Sequence, residues 1–171
     1  MDSIPMPPSA NRIYRQGKHD IITYLLDELP AHIARIEYEP QAITTLDDQL
    51  NLVMDAFSVS LSQPHPPFQL LCQLLKATNK YLNLRGLIQQ QVDWGQALLR
   101  YFLDNPEAGS DMDITVLVII ASGFERLGYI EDAIDLYEYI IALFDEDPTN
   151  QHLGAIYYNL ALAYQKNDDI P

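Results

Sequence analysis

The chain has 171 residues, of which 48% are hydrophobic and 20% charged, a composition typical of a folded protein with one domain or a short solenoid. Its formal net charge of −14 is unevenly spread, because residues 1–100 carry eight Lys or Arg and ten Asp or Glu, whereas residues 101–171 carry two and fourteen. Such an acidic half repels phosphate backbones and anionic membranes, which argues against nucleic-acid or membrane partners and leaves a basic protein surface open.

The sequence pattern predicts neither a membrane span nor a secretory signal. No apolar run reaches the ~20 residues of a membrane span. Residues 1–10 contain an acid and prolines where a secretory signal has basic residues and an apolar core, so we expect a flexible leader. The single cysteine, Cys72, cannot form an internal disulfide and suits a reducing compartment. We therefore expect a cytoplasmic protein.

The first region, residues 11–63, is predicted to be a degenerate helical hairpin. Gly17 precedes an apolar segment in the manner of a turn between helices. Pro30 is expected to break or restart the helix that follows, because it lacks a backbone donor and clashes with the preceding turn. Apolar residues at helical spacing then continue over residues 31–38 and 41–61.

The second region, residues 66–171, begins after the stiff connector Pro64–Pro67. The strongly apolar segment Phe68–Leu84 predicts a buried helix that ends at Gly86. A further helix is predicted over Val92–Leu103 and closes in a Pro-containing loop.

The next predicted helix covers residues 112–127. Its segment Ile114–Ile120 is rich in β-branched residues and is ambiguous between strand and helix, but its position before Gly128 favours a helix. Ser110 or Asp111 is expected to cap it by accepting hydrogen bonds from its free N–H groups.

The end of the chain continues the pattern of helices joined by short turns. After the Gly128 turn, a small, an aromatic and an aliphatic residue follow at the inward positions of a helix: Ala133, Tyr137 and Ile140. Ala155–Gln165 predicts one more helix, capped by Thr149 or Asn150, and Lys166–Pro171 its turn. Because no partner helix follows, we expect either a fragment of a longer protein or a last helix that pairs with another element.

The spacing of Gly17, Gly86 and Gly128 is 69 and 42 residues, and the first value is close to two periods of about 34 residues. With the residues above, this pattern resembles the tetratricopeptide repeat (TPR) family. The resemblance implies an all-α fold, a right-handed α-α superhelix of about seven helices with an incomplete last repeat.

A narrower resemblance lies in Tyr81-Leu-Asn-Leu-Arg-Gly86 and Trp94-Gly-Gln-Ala-Leu98. These segments are similar to the first repeats that follow the NTPase module in bacterial signal-transduction ATPases of the NB-ARC type. That resemblance implies a sensor region. Gln91 and Gly95 depart from the pattern, since they replace the small and aromatic residues of the later repeat. No Gly-x-x-x-x-Gly-Lys-Ser/Thr phosphate loop occurs in the chain.

Candidate chemistry is sparse. The four histidines lie in separate segments without ligand spacing, and the Asp pairs near residues 111 and 145 lack the glycine and distal glutamate of a calcium loop. We expect Cys72 to be a buried structural thiol. The sequence therefore predicts no catalytic residue, cofactor or metal.

The leading hypothesis is a non-catalytic protein–protein interaction module whose partner is a protein or peptide, with a basic ligand better suited to the acidic surface. The candidate partner-binding residues are Glu131, Asp132, Asp135, Tyr158 and Asn159. One alternative is a helical ligand-binding or enzymatic domain with a small-molecule pocket near Trp94 and Tyr81. Another is a structural spacer inside a larger protein.

Overall fold

The computed structural model describes residues 18–35, 39, 41–63, 66–105, 113–144 and 153–168. These ranges form seven α-helices and contain no β-strand, which confirms the predicted all-α class. The helices are α1 (Lys18–Arg35), α2 (Gln41–Leu61), α3 (Phe68–Leu84), α4 (Ile88–Asp104), α5 (Ile114–Leu127), α6 (Ile130–Ala142) and α7 (Leu153–Asp168). None of the helices in these ranges is long and apolar enough to cross a membrane. The predicted leader at residues 1–10 lies outside the described residues.

The chain divides into two compact units, Met1–Tyr81 and Leu82–Pro171, with the boundary in the last turn of α3. In the first unit α1 packs against α2. Their apolar faces bury a core that includes Ile22, Leu25, Leu46 and Phe57. The hydroxyl of Tyr81, near the end of α3, donates a 2.5 Å hydrogen bond to Asp47 on α2.

Helix α1 runs without interruption through Pro30, so the predicted break at this residue is wrong. A proline inside a helix removes one hydrogen bond and costs about 3 kcal/mol. Pro30 itself is exposed, but Leu25, Leu29 and Ile33 on both sides of it are buried on one helix face. Continuous burial of this stripe offsets the local cost of the proline. Residue propensities alone do not include this burial.

In the second unit each of α4, α5 and α6 packs against the helix that follows it. The turns after α3 and α5 share one geometry, with Gly86 at φ 68° and Gly128 at φ 85°. In each turn the residue after the glycine donates to the carbonyl five residues earlier, Leu87 to Leu82 and Tyr129 to Phe124, both at 2.9 Å. This is the hydrogen bond of a Schellman motif, which confirms both predicted glycine turns. Gly17 lies outside the described residues.

Helices α4 and α5 approach closely through two glycines. A Cβ atom at Gly95 would stand 2.3 Å from Cγ1 of Ile120, and one at Gly123 would stand 2.4 Å from Cγ2 of Val92. One turn before Gly95, the buried Gln91 donates a 3.4 Å hydrogen bond to the carbonyl of Ile119. The two residues that depart from the later repeat pattern, Gln91 and Gly95, therefore both take part in the contact between these helices.

Several helix ends differ from the prediction. Helix α4 begins at Ile88, earlier than the expected Val92. Asp113 caps α5 by accepting a 2.8 Å hydrogen bond from Thr115 N, so the prediction of Ser110 or Asp111 is wrong. At α7 the helix continues to Asp168, so residues 166–168 are helical rather than a turn. The caps predicted at residues 149 and 150 lie outside the described residues.

Candidate functional site

The carboxylates predicted to bind a partner lie on the outer face of α6. The apolar stripe of this helix turns inward, burying Ala133, Tyr137 and Ile140. The 3.6-residue period therefore leaves Glu131, Asp132 and Asp135 exposed. In the described part of the chain, neither Asp132 nor Asp135 forms an ion pair.

An open groove of about 470 Å³ lies in the second unit and includes two of these carboxylates. One face of α4 and one face of α6 form its walls, and a residue of α5 lies at its base. We call this feature the α4–α6 groove. Its lining residues are Gln96, Leu99, Arg100, Leu103, Asp104, Phe124, Asp132, Asp135, Leu136 and Tyr139.

The α4–α6 groove has an apolar floor and a charged rim. Phe124 and Leu136 are buried at the floor, whereas Leu103 is 60% and Tyr139 39% exposed beside it. The rim carries three carboxylates, one guanidinium and one amide, which belong to Asp104, Asp132, Asp135, Arg100 and Gln96. The groove can accept apolar side chains on its floor, and the carboxylates of its rim favour a positive charge beside them.

A second cavity of about 500 Å³ lies at the turn between α5 and α6. Gly128, Tyr129 and Ile130 line it together with Glu131, Asp132 and Asn167. Asp132 thus borders both cavities, whereas Glu131 borders the second cavity but not the α4–α6 groove. Carboxylates in the first turn of α6 are favourable at a helix N-terminus, which gives these two residues a structural role as well.

The other two predicted residues, Tyr158 and Asn159, lie on α7 and line neither cavity. Tyr158 is 65% exposed and Asn159 is half-buried. Tyr157 and Tyr164 are also exposed on this helix. The structure therefore divides the five predicted residues between the α6 face and the α7 surface.

A polar cluster joins α7 to the two preceding helices. Lys166 forms a 2.5 Å ion pair with the largely buried Glu125 of α5, and the Tyr164 hydroxyl donates to Glu138 of α6. The hydrogen bond to Glu138 is the main cause that raises the pKa of Tyr164. The Tyr137 hydroxyl is buried without a partner in hydrogen-bonding geometry, and burial, together with the nearby Glu125 charge, raises the pKa of this phenol.

The prediction from sequence missed the α4 wall of the groove. Positions 96, 99, 100, 103 and 104 of α4 recur at the spacing of one helix face, but this spacing does not indicate which element the face meets. From the sequence, Leu99 and Leu103 are only part of the predicted helix Val92–Leu103. Nothing in the sequence distinguishes an apolar position that faces a groove from one that faces the core.

The small-molecule pocket predicted near Trp94 corresponds to neither cavity. Trp94 is 4% exposed and lines neither of them. Tyr81 is buried and hydrogen-bonded to Asp47, and burial raises the pKa of its phenol. A ligand-binding function near these residues stays a prediction.

Within the described ranges no three His, Cys, Asp or Glu side chains are grouped as a metal ion would require. Comparisons with models of protein families, with curated protein sequences and with solved structures gave no match.

Proposed function

We propose that this chain is a non-catalytic protein–protein interaction module built of TPR-like helical hairpins. Two glycine turns of the same geometry and the buried small–aromatic–aliphatic stripe of α6 support the repeat-like architecture. In this proposal the hairpins stack into a right-handed superhelix, as in the family that the sequence resembles.

The observation that carries the proposal is the α4–α6 groove. It is open to solvent, it has an apolar floor, and its rim is mainly acidic. Peptide-binding surfaces combine such apolar anchor sites with a polar border, whereas a structural spacer requires no open groove. A basic protein partner in the cytoplasm, rather than a nucleic acid, suits the charge of residues 101–171.

The resemblance to sensor regions of NB-ARC-type ATPases adds a proposed context. As such a region, the module would hold a neighbouring catalytic domain inactive until a ligand changes its packing. The two functions are compatible, because a sensor of this kind also acts through a protein interface.

Affinity capture tests the proposed function. The tagged chain is exposed to native lysate, washed at low and then at high salt, and the bound proteins are identified by mass spectrometry. We expect one protein to be retained near stoichiometry at low salt and lost at high salt, because screening weakens exposed charge pairs.

Charge reversal provides the matched comparison. Glu131→Lys, Asp132→Lys and Asp135→Lys together should weaken retention of that protein. Reversal of Glu28, Asp48 and Asp55, three exposed carboxylates on α1 and α2, should leave it unchanged. A folded chain that retains no protein under any condition would contradict the proposed function.

A further inference from the structure

The residues that line the two walls of the α4–α6 groove have the same spacing along their helices. On α4, Gln96, Leu99 and Leu103 follow one another at three and four residues, and on α6 Asp132, Asp135 and Tyr139 do the same. At a rise of about 1.5 Å per residue, each wall extends for about 10 Å, which is two helical turns. A short peptide segment has this length.

The exposure of the groove distinguishes a peptide from a small molecule. Small-molecule sites bury most of the ligand surface, commonly in enclosed cavities. Here the side chains beside the floor, Leu103 and Tyr139, are substantially exposed, and all five polar rim residues are exposed. An occupant therefore keeps one side in solvent, as an amphipathic segment does.

The charge of the groove determines the chemistry of that segment. Its rim has three carboxylates against the single guanidinium of Arg100, and Glu131 and Glu138 are exposed nearby on α6. The two cations of residues 101–171 lie elsewhere, since Arg126 donates to Asn83 and Lys166 pairs with Glu125. Neither Arg126 nor Lys166 therefore neutralises a carboxylate of the groove rim.

We infer that the α4–α6 groove binds a basic amphipathic segment of a partner protein. Apolar side chains of the segment lie on Phe124 and Leu136 and contact Leu103 and Tyr139. Lys or Arg side chains on its flanks pair with Asp132 and Asp135. This inference rests on the proposed function and assigns the binding surface to α4 and α6 rather than to α7.

A peptide titration tests the inference. The probe is a fluorescein-labelled 14-residue model helix with leucines at one face and lysines elsewhere, followed by fluorescence anisotropy at low salt. A second peptide has the same composition in scrambled order, so that its charge is equal but its apolar face is lost. We expect the patterned peptide to bind at least about tenfold more tightly than the scrambled one.

Paired variants locate the binding surface. Leu103→Ala with Tyr139→Ala should reduce the affinity about tenfold, whereas Leu84→Ala with Tyr157→Ala, at exposed residues outside the groove, should change it less than about twofold. Asp132→Asn with Asp135→Asn should reduce the affinity at low salt and flatten its salt dependence. The same change at Asp48 and Asp55 should do neither.

Circular dichroism of each variant establishes that it is folded. Equal binding of the two peptides, or equal losses in groove and control variants, would overturn the inference and indicate general attraction to an acidic chain. If the captured cellular partner is unaffected by the groove variants but lost with Tyr158→Ala and Asn159→Ala, the proposed function stands and the groove inference fails.

Discussion

Gly95 on α4 lies directly against the side chain of Ile120 on α5, with no room for a Cβ atom between them. Gly123 on α5 meets Val92 on α4 in the same way, and Phe124 at the base of the groove is the next residue. The close approach of α4 and α5 therefore sets the position of the groove floor. Packing between α4 and α5 and the shape of the groove are therefore connected at this interface.

Gly95→Ala should destabilise the protein by about 1–3 kcal/mol. Alanine has the higher helix propensity, by up to about 1 kcal/mol, but its methyl group would overlap Cγ1 of the fully buried Ile120. Urea denaturation measures the change in the free energy of unfolding. Gly154→Ala is the control: nothing lies within 4 Å of a Cβ atom there, so it should be neutral or stabilising.

A double-mutant cycle tests the cause of that loss. Ile120→Ala removes the atoms that the new methyl group would strike, so the loss caused by Gly95→Ala should be smaller in the Ile120→Ala background. If the losses in unfolding free energy of the two single variants add strictly in the double variant, a steric origin of the Gly95→Ala loss would be contradicted.

Gly128→Ala should cost about 1–2 kcal/mol for a different reason. Its Cβ atom would meet nothing within 4 Å, but the residue has φ 85°, in the left-handed region that L-residues with side chains disfavour. Gly128→Asn should cost less, because asparagine tolerates this conformation better. Thermal unfolding should rank the proteins as glycine, asparagine, alanine in order of falling Tm.

Tyr137→Phe should leave stability unchanged or raise it, since the variant removes a buried hydroxyl that has no partner. Its effect should also depend on pH. The pKa of Tyr137 is raised in the folded protein, so as pH rises above about 10 the unfolded chain ionises first and stability falls. The phenylalanine variant should lose less stability over that range. Marked destabilisation at neutral pH would show that the hydroxyl hydrogen-bonds Glu125.

Lys166→Met should loosen the attachment of α7 and cost about 1 kcal/mol. It leaves the largely buried Glu125 without its ion pair. Faster amide hydrogen exchange in α7 would be the direct readout. Arg35→Met breaks the exposed pair between Arg35 and Glu39 and should cost less. Equal losses in the two variants would contradict a special role for burial of Glu125.

Much of the fold follows from local sequence signals. Gly86 and Gly128 mark turns that require positive φ, and the stripe of Ala133, Tyr137 and Ile140 is buried as its spacing predicts. These features depend on the conformation of one residue or on the period of one helix. Such properties are encoded within a few positions of the chain.

Features that depend on tertiary packing could not be predicted in this way. Pro30 is a strong local helix breaker, yet the buried residues on both sides keep α1 continuous. The sequence places the two groove aspartates opposite the apolar stripe of α6, but it does not predict the α4 wall. Which face of α4 lies opposite α6 is decided by the glycine contacts with α5, and no pattern within α4 reveals it.

Trp94 is the only tryptophan of the chain, and it is buried in the second unit. Its fluorescence consequently reports on the unfolding of that unit alone, while far-ultraviolet ellipticity records the helices of both. If the two signals change at different denaturant concentrations, the units unfold as separate cooperative blocks. This protein therefore contains its own optical probe for the half that carries the groove.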